Sequence, residues 1–264
     1  MAPILYCQPI FCPDGARLDR NIASLESLRR YMDHHGIDLS MLRYSFGGWC
    51  KTEESWKIIT AKLKALFNVE ATRFDKNYGK ATVVNRLIES ATGIYTHILT
   101  ADSDIIFCIE EPCMFDRLLD AVRCSENIRG IPCGLVALQQ KGSNCHIPVI
   151  FENQLEYSSG ESLVWPTGCG GIAGGCLFIS WEAWHQVGGY RVMGVYAGDD
   201  AFLMIDMMAH GFSIQVIDTL AIIHPPDNDG TYSAWKRDMC HREQRVVGSD
   251  ELAPMIEEAV RLWS

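Results

Sequence analysis

Apolar runs of strand length alternate with helical patterns over the first hundred residues. "PILYCQPIF" (3–11) reads as a strand, and "ARLDRNIASLESLRRYMDHHG" (16–36) as an amphipathic helix stopped by Gly36. "DLSMLRYSFGG" is a second strand. "TEESWKIITAKLKALF" is a second helix, with Thr52 placed to cap it and Glu54 in its first turn. "NVEATRFD" is a short strand, "GKATVVNRLIESATG" a helix closed by Gly93, and "THILTADSD" the next strand. Short strands alternating with longer helices predict a parallel sheet covered by helices on both faces. Ligands of such sheets sit at the carboxyl ends of the strands, where strand order reverses.

The second half is less regular. A helix near Met114–Cys124 precedes strands in "GLVALQQ" and "HIPVIFE", and "NQLEYSSGESLVWPTGCGG" reads as a loop. Then come a glycine-containing strand "IAGGCLFIS", a short helix "WEAWHQVGG", and "GDDAFLMIDMMAHG", a helix with an acidic first turn. "FSIQVIDTLAIIHPP" supplies one or two strands, and "SAWKRDMCHREQRVV" and "ELAPMIEEAVRLW" read as helices. No linker-like stretch separates the halves, so residues 1–264 are expected to form one domain.

Composition narrows the class. With 264 residues, 48% of them apolar, the chain can bury one large core. It shows no solenoid-period repeat, no signal-peptide pattern at its start and no apolar run near the ~18 residues of a membrane span. A formal charge of −10 argues against broad affinity for nucleic acid or anionic membrane. Eleven cysteines, an odd number without any Cys-x-x-Cys, fit neither a disulfide framework nor a zinc ribbon. They read as reduced, mostly structural thiols, which implies a cytoplasmic setting.

One stretch then stands out. In "HILTADSDIIF" (97–107) a buried strand runs into Asp102 and Asp104, and desolvated carboxylates are costly unless something compensates them. Asp-x-Asp at a strand end suits a hard divalent cation that fills its remaining positions with water and phosphate. An acidic turn leading into "EEPCMFDRLL" would also account for it. The context decides. Upstream lie Asn77-x-Gly79, Asn85 and Ala91-x-Gly93; downstream lie "GGIAGGCLFISWEAWHQVGGY", "YAGDDAFLMIDMMAHGF" and "AIIHPP".

In this order the motifs, from about Pro3 to Pro226, resemble the family-2 glycosyltransferases of the GT-A fold. The resemblance implies a single Rossmann-like α/β domain, with a mostly parallel central sheet flanked by helices and a smaller mixed sheet in the C-terminal half. Residues 1–104 would bind the nucleotide sugar and residues 105–264 the acceptor. Mn2+ or Mg2+ would be held by Asp104 and His224, with Asp102 on the ribose or reaching the metal through water. Pro9, Asp75, Asn77, Gly79 and Lys80 would contact the donor, a UDP-sugar first, together with Asn85, Asp102, Gly174 and Lys236. Asp200, or its neighbour Asp199, would be the base that takes the acceptor proton in an inverting transfer.

Other readings stay open. Residues 170–175, "GGIAGG", either let backbone approach the sugar or form a bulge. Trp165, Trp181 and Trp184 stack on ligand or belong to the core. Lys236, Arg237, Arg242 and Arg245 form a basic stretch that either meets phosphate or is a solvated helix face. The second strand lacks the acidic nucleobase contact of many family members, for which Asp75 is the substitute. The chain lacks the Gln-x-x-Arg-Trp of processive members, so one sugar per acceptor is expected. The acceptor bears a hydroxyl, and a polysaccharide, a small molecule, a protein or a modified nucleic-acid base all qualify. The rivals are a nucleotidyltransferase, for which "CQPIFCPDGARLDR" supplies only Arg17 and Arg20, and a non-catalytic nucleotide-sugar-binding module.

Overall fold

In the computed structural model, which describes residues 3–110, 113–141, 151–156, 162–166, 174–192 and 199–225, β1 (Ile4–Cys12) lies deep in a mixed sheet. Side chains of β1 alternate between two cores. Ile4, Tyr6, Ile10 and Cys12 join one, and Leu5 and Cys7 join the other. This is why the strand reads as a continuous apolar run: helices cover both of its faces. The first core is closed by α1 (Gly15–His34), α2 (Glu53–Phe67) and α4 (Met114–Arg129). The second is closed by α3 (Lys80–Glu89), α5 (Trp181–Val187) and α6 (Asp199–Ala209).

Among the described residues the sheet runs β3-β2-β1-β4-β8-β5-β9-β7-β6. Here β2 is Leu42–Cys50, β3 Ala71–Arg73 and β4 His97–Ala101. β5 is Cys133–Lys141, β6 Phe151–Glu156, β7 Ser162–Pro166, β8 Cys176–Ser180 and β9 Ser213–Ile223. β1 to β4 pair in parallel, as the alternation predicts. β8 then runs antiparallel between β4 and β5. The expected smaller mixed sheet is continuous with the parallel part rather than separate from it.

Several boundaries differ from the sequence expectation. α3 ends at Glu89, before Gly93, with Ser90 as its C-cap. The stretch read as a loop contains most of β6, which begins at Phe151 in the expected strand "HIPVIFE", and all of β7, its antiparallel partner. The third strand is three residues long. α4 continues to Arg129, and "FSIQVIDTLAIIHPP" forms one strand with an irregularity between the partners of Leu138 and Gln139. The helices expected in "SAWKRDMCHREQRVV" and "ELAPMIEEAVRLW" lie outside the described residues.

Candidate active site

Three strand or helix ends bring the chemistry together. β4 ends at Ala101 and delivers Asp102 and Asp104. α3 begins at Lys80, and α6 begins with Asp199 and Asp200. The reversed strand β8 starts at this same end, so Gly174 and Gly175 arrive beside Asp102, whose N–H donates to the Gly175 carbonyl at 2.7 Å.

The cost of the buried Asp104 and the partly buried Asp102 is met by cations from elsewhere in the chain. Asp104, 4% exposed, has Oδ2 2.6 Å from Nη1 of Arg17, itself 3% exposed, and Arg20 lies 4.0 Å away. Both arginines project from the start of α1, whose N-cap Asp14 accepts from the Arg17 N–H. Asp102 has its Oδ1 2.9 Å from Lys80 Nζ. Neither arginine was expected at the aspartates. Arg17 carries a clue all the same, being a charged residue on the buried face of an amphipathic helix.

Lys80 has further partners. Its ammonium lies 3.1 Å from Asp200 Oδ1 and donates to the Gly174 carbonyl at 2.6 Å. Burial works against the charge, but Asp102 and Asp200 more than offset it and hold the lysine well above its ordinary pKa. The motif residues before it explain its aim. Asn77 Oδ1 accepts from the Gly79 N–H at 3.0 Å, and Gly79, at φ 82°, starts α3 where a side chain would be strained. Asn85, one helix face further on, spends its amide on the backbone of Tyr190, 2.8 Å from the carbonyl and 3.0 Å from the N–H. The Tyr190 ring stands 5.9 Å from the Lys80 ammonium, and its buried hydroxyl has no hydrogen-bond partner among the described residues. Tyr190, like the two arginines, was not expected at the site.

The adjacent pair on α6 divides its work. Asp199 is buried, accepts from the Ala81 N–H in the first turn of α3, and leaves Oδ1 without a hydrogen-bond partner among the described residues. Burial, with the Asp200 charge beside it, pushes its carboxyl up to about 7. Asp200 keeps 30% of its side chain exposed, and its pKa is also raised, chiefly by desolvation, with Lys80 opposing.

The remaining expected residues fall as follows. Pro9 is buried in β1 opposite Gly47 of β2, and Asp75 is exposed just past β3. Trp184 is core, while Trp181 is partly buried and packs on Tyr95 at 4.9 Å. Lys236, the basic stretch around it and Gly170–Ala173 lie outside the described residues, as does the side chain of Trp165.

Asp104 and His224 fit a divalent cation. Backbone bonds between Ile106 and Ile223 bring the end of β9 to Asp104, and His224 Nε2 lies 3.5 Å from Asp104 Oδ1. Two ligand atoms at about 2.1 Å from one ion, roughly at right angles or slightly wider, stand about 3.0–3.5 Å apart. Arg17 occupies the other oxygen of Asp104. Asp102 faces Lys80 instead, and among the described residues no group of three His, Cys, Asp or Glu side chains converges. Such an ion would draw its other ligands from water and diphosphate.

A scan of protein-family models and a search of curated proteins both return no match. Solved structures do match. TarS residues 1–349 of S. aureus superimposes with a TM-score of 0.59 at 14% identity, over 84% of this chain and 60% of that one. Its complex with UDP-GlcNAc gives 0.59 at 11% identity, over 86% of this chain and 59% of that one. The mannosyltransferase PcManGT from Pyrobaculum calidifontis, in complex with GDP-Man and Mn2+, gives 0.58 at 13% identity, over 99% and 70%. The chain therefore spans about 60% of the length of the first two. At these identities the likeness speaks for architecture, and the architecture is the α/β GT-A fold of those glycosyltransferases.

Proposed function

We propose that this protein transfers one sugar from a nucleotide-sugar donor to a hydroxyl acceptor, inverting the anomeric carbon. The observation that carries the reading is the facing pair Asp102 and Asp200. One directly follows β4 in the half assigned to the nucleotide, the other lies in the first turn of α6, and both meet the Lys80 ammonium. UDP-GlcNAc in TarS and GDP-Man in the mannosyltransferase support a nucleotide-sugar donor, with a UDP-sugar as the first choice.

In this reading Asp102 contacts the ribose and Asp75 the nucleobase. Pro9, the Asn77–Gly79 turn and Lys236 border the donor. Asp104 Oδ1 and His224 Nε2 would hold Mn2+ or Mg2+, which when bound would neutralise charge developing on the leaving diphosphate. Arg17 orients Asp104 through its contact with Oδ2. Asp200, partly exposed, accepts the acceptor's proton as the acceptor oxygen attacks the anomeric carbon. The bond from that carbon to the diphosphate breaks with its electron pair leaving on the diphosphate, and no carboxylate attacks the sugar. A nucleotidyltransferase is disfavoured because Arg17 is committed to Asp104. A purely binding module is disfavoured by the partly exposed carboxylate of Asp200.

The test is calorimetry with UDP and GDP, each with Mn2+ or with EDTA, followed by NMR of any product. Asp104→Ala should remove the metal-dependent part of binding. Asp200→Asn should bind as the parent does and lose transfer by ~10²–10⁴-fold. Absence of nucleotide binding by the parent refutes the reading, and a retained anomeric configuration refutes the mechanism.

A further inference from the structure

We propose that Lys80 and Gly174 are positioning residues that seat the Asp200 carboxylate and thereby select it, rather than Asp199, as the base. This inference rests on the glycosyltransferase reading above. It also moves both residues from the role expected of them, donor contact, to support of the acceptor chemistry.

Gly174 touches Asp200 at closer range than any side chain would permit. A Cβ built on it would lie 1.8 Å from Asp200 Cγ and 1.9 and 2.0 Å from the two carboxylate oxygens. The carboxylate thus occupies the volume a side chain at 174 would take. Both backbone groups of Gly174 serve the same cluster. Its N–H donates to Asp200, and its carbonyl accepts from Lys80 at 2.6 Å. Lys80 completes the ring by holding Asp200 Oδ1 at 3.1 Å. Pinning Oδ1 and packing the group against a glycine backbone fixes the carboxylate plane, and with it the position of Oδ2. Asp199 has no such seat: it lies 8% exposed and accepts from the Ala81 N–H.

Lys80 also joins two parts of the reaction. Its third partner is Asp102, at 2.9 Å, so one side chain touches a carboxylate assigned to the donor and the one assigned to the acceptor. A base held by this arrangement loses catalysis when displaced by an ångström, even where donor binding is unchanged.

Water can stand in for the unidentified acceptor. In hydrolysis a water oxygen bonds to the anomeric carbon, the carbon–diphosphate bond breaks with its electrons leaving on the nucleoside diphosphate, and the water proton passes to Asp200. The experiment measures UDP release from UDP-GlcNAc and GDP release from GDP-Man, each with Mn2+, beside calorimetric binding of UDP and GDP. Gly174→Ala should lower kcat by ~100-fold or more while nucleotide Kd and donor KM stay within about threefold. Lys80→Met should show a comparable loss, and Lys80→Arg should recover part of it. The inference is overturned if Gly174→Ala keeps kcat within about threefold, or if it loses nucleotide binding in step with kcat, which returns Gly174 to the donor pocket. Should Gly174→Ala fail to fold, the lysine pair decides, and equal activity in Lys80→Met and the parent overturns the proposal. A parent that neither binds nor hydrolyses either nucleotide sugar refutes the glycosyltransferase reading, and this inference with it.

Discussion

His97 opens β4 with its ring stacked on Phe178, centroids 4.4 Å apart, and its Nδ1 buried without a partner among the described residues. Burial lowers its pKa from 6.5 to about 4. The unfolded chain then binds more protons than the folded one between those values, so His97 costs stability as pH falls from about 6.5 towards 4. Asp199 has the opposite sign. With its carboxyl pushed up to about 7, the folded state holds the extra proton, and the stability this gives at low pH is lost as pH rises through about 7. His97→Phe should therefore remove a loss of up to about 3 kcal/mol as pH falls from 6.5 to 4, and Asp199→Asn should remove the opposing gain as pH falls from about 7 towards 4. Urea midpoints from pH 4 to 8 read both, and a profile unchanged in either variant contradicts that assignment. At this scale the sequence revealed which residues carry charge into the core but not their partners. Asp104 meets Arg17 across 87 positions of chain, a pairing that no local spacing encodes.

Helix ends were more legible. Thr52 caps α2 as its spacing implied, accepting from the Ser55 N–H at 3.1 Å. The other end was not foreseen. There Asn68 takes a left-handed conformation at φ 56° and donates its N–H to the Lys64 carbonyl at 3.1 Å. Asparagine tolerates that region and a β-branched residue does not. Asn68→Val should cost about 1–2 kcal/mol in chemical denaturation and Asn68→Gly close to nothing. Equal costs would mean that the side chain, not the backbone, matters there. Gly93 misled because a glycine after an apolar stripe resembles a C-cap, whereas α3 has already ended at Glu89. The β6–β7 pairing was missed because polar and small residues dominate a short stretch whose alternation is weak.

For the whole molecule, the alternating first half predicted the parallel strands, but the antiparallel β8 left no pattern of its own. Strand direction is set by the connections, and the glycines before β8 disguise where it begins. The cysteine reading has a global test. Seven cysteines, at positions 7, 12, 50, 108, 113, 133 and 176, form no disulfide among the described residues, although Cys12 and Cys50 are register partners on β1 and β2. Without reductant, the denatured chain should titrate as eleven thiols, and a count of nine would point to that pair as a disulfide.

The place of β8 also bears on how the chain is made. β4 pairs with β1 as soon as both exist, yet its other edge, from His97 to Ala101, is covered only when residues up to Ser180 have been synthesised. Until then a nascent chain carries an open strand edge flanked by Ile98 and Leu99, the kind of edge that recruits other chains. Fragments cut before β8 should aggregate, and those that include it should stay dispersed. A ribosome pausing in that interval would leave the protein in need of a chaperone.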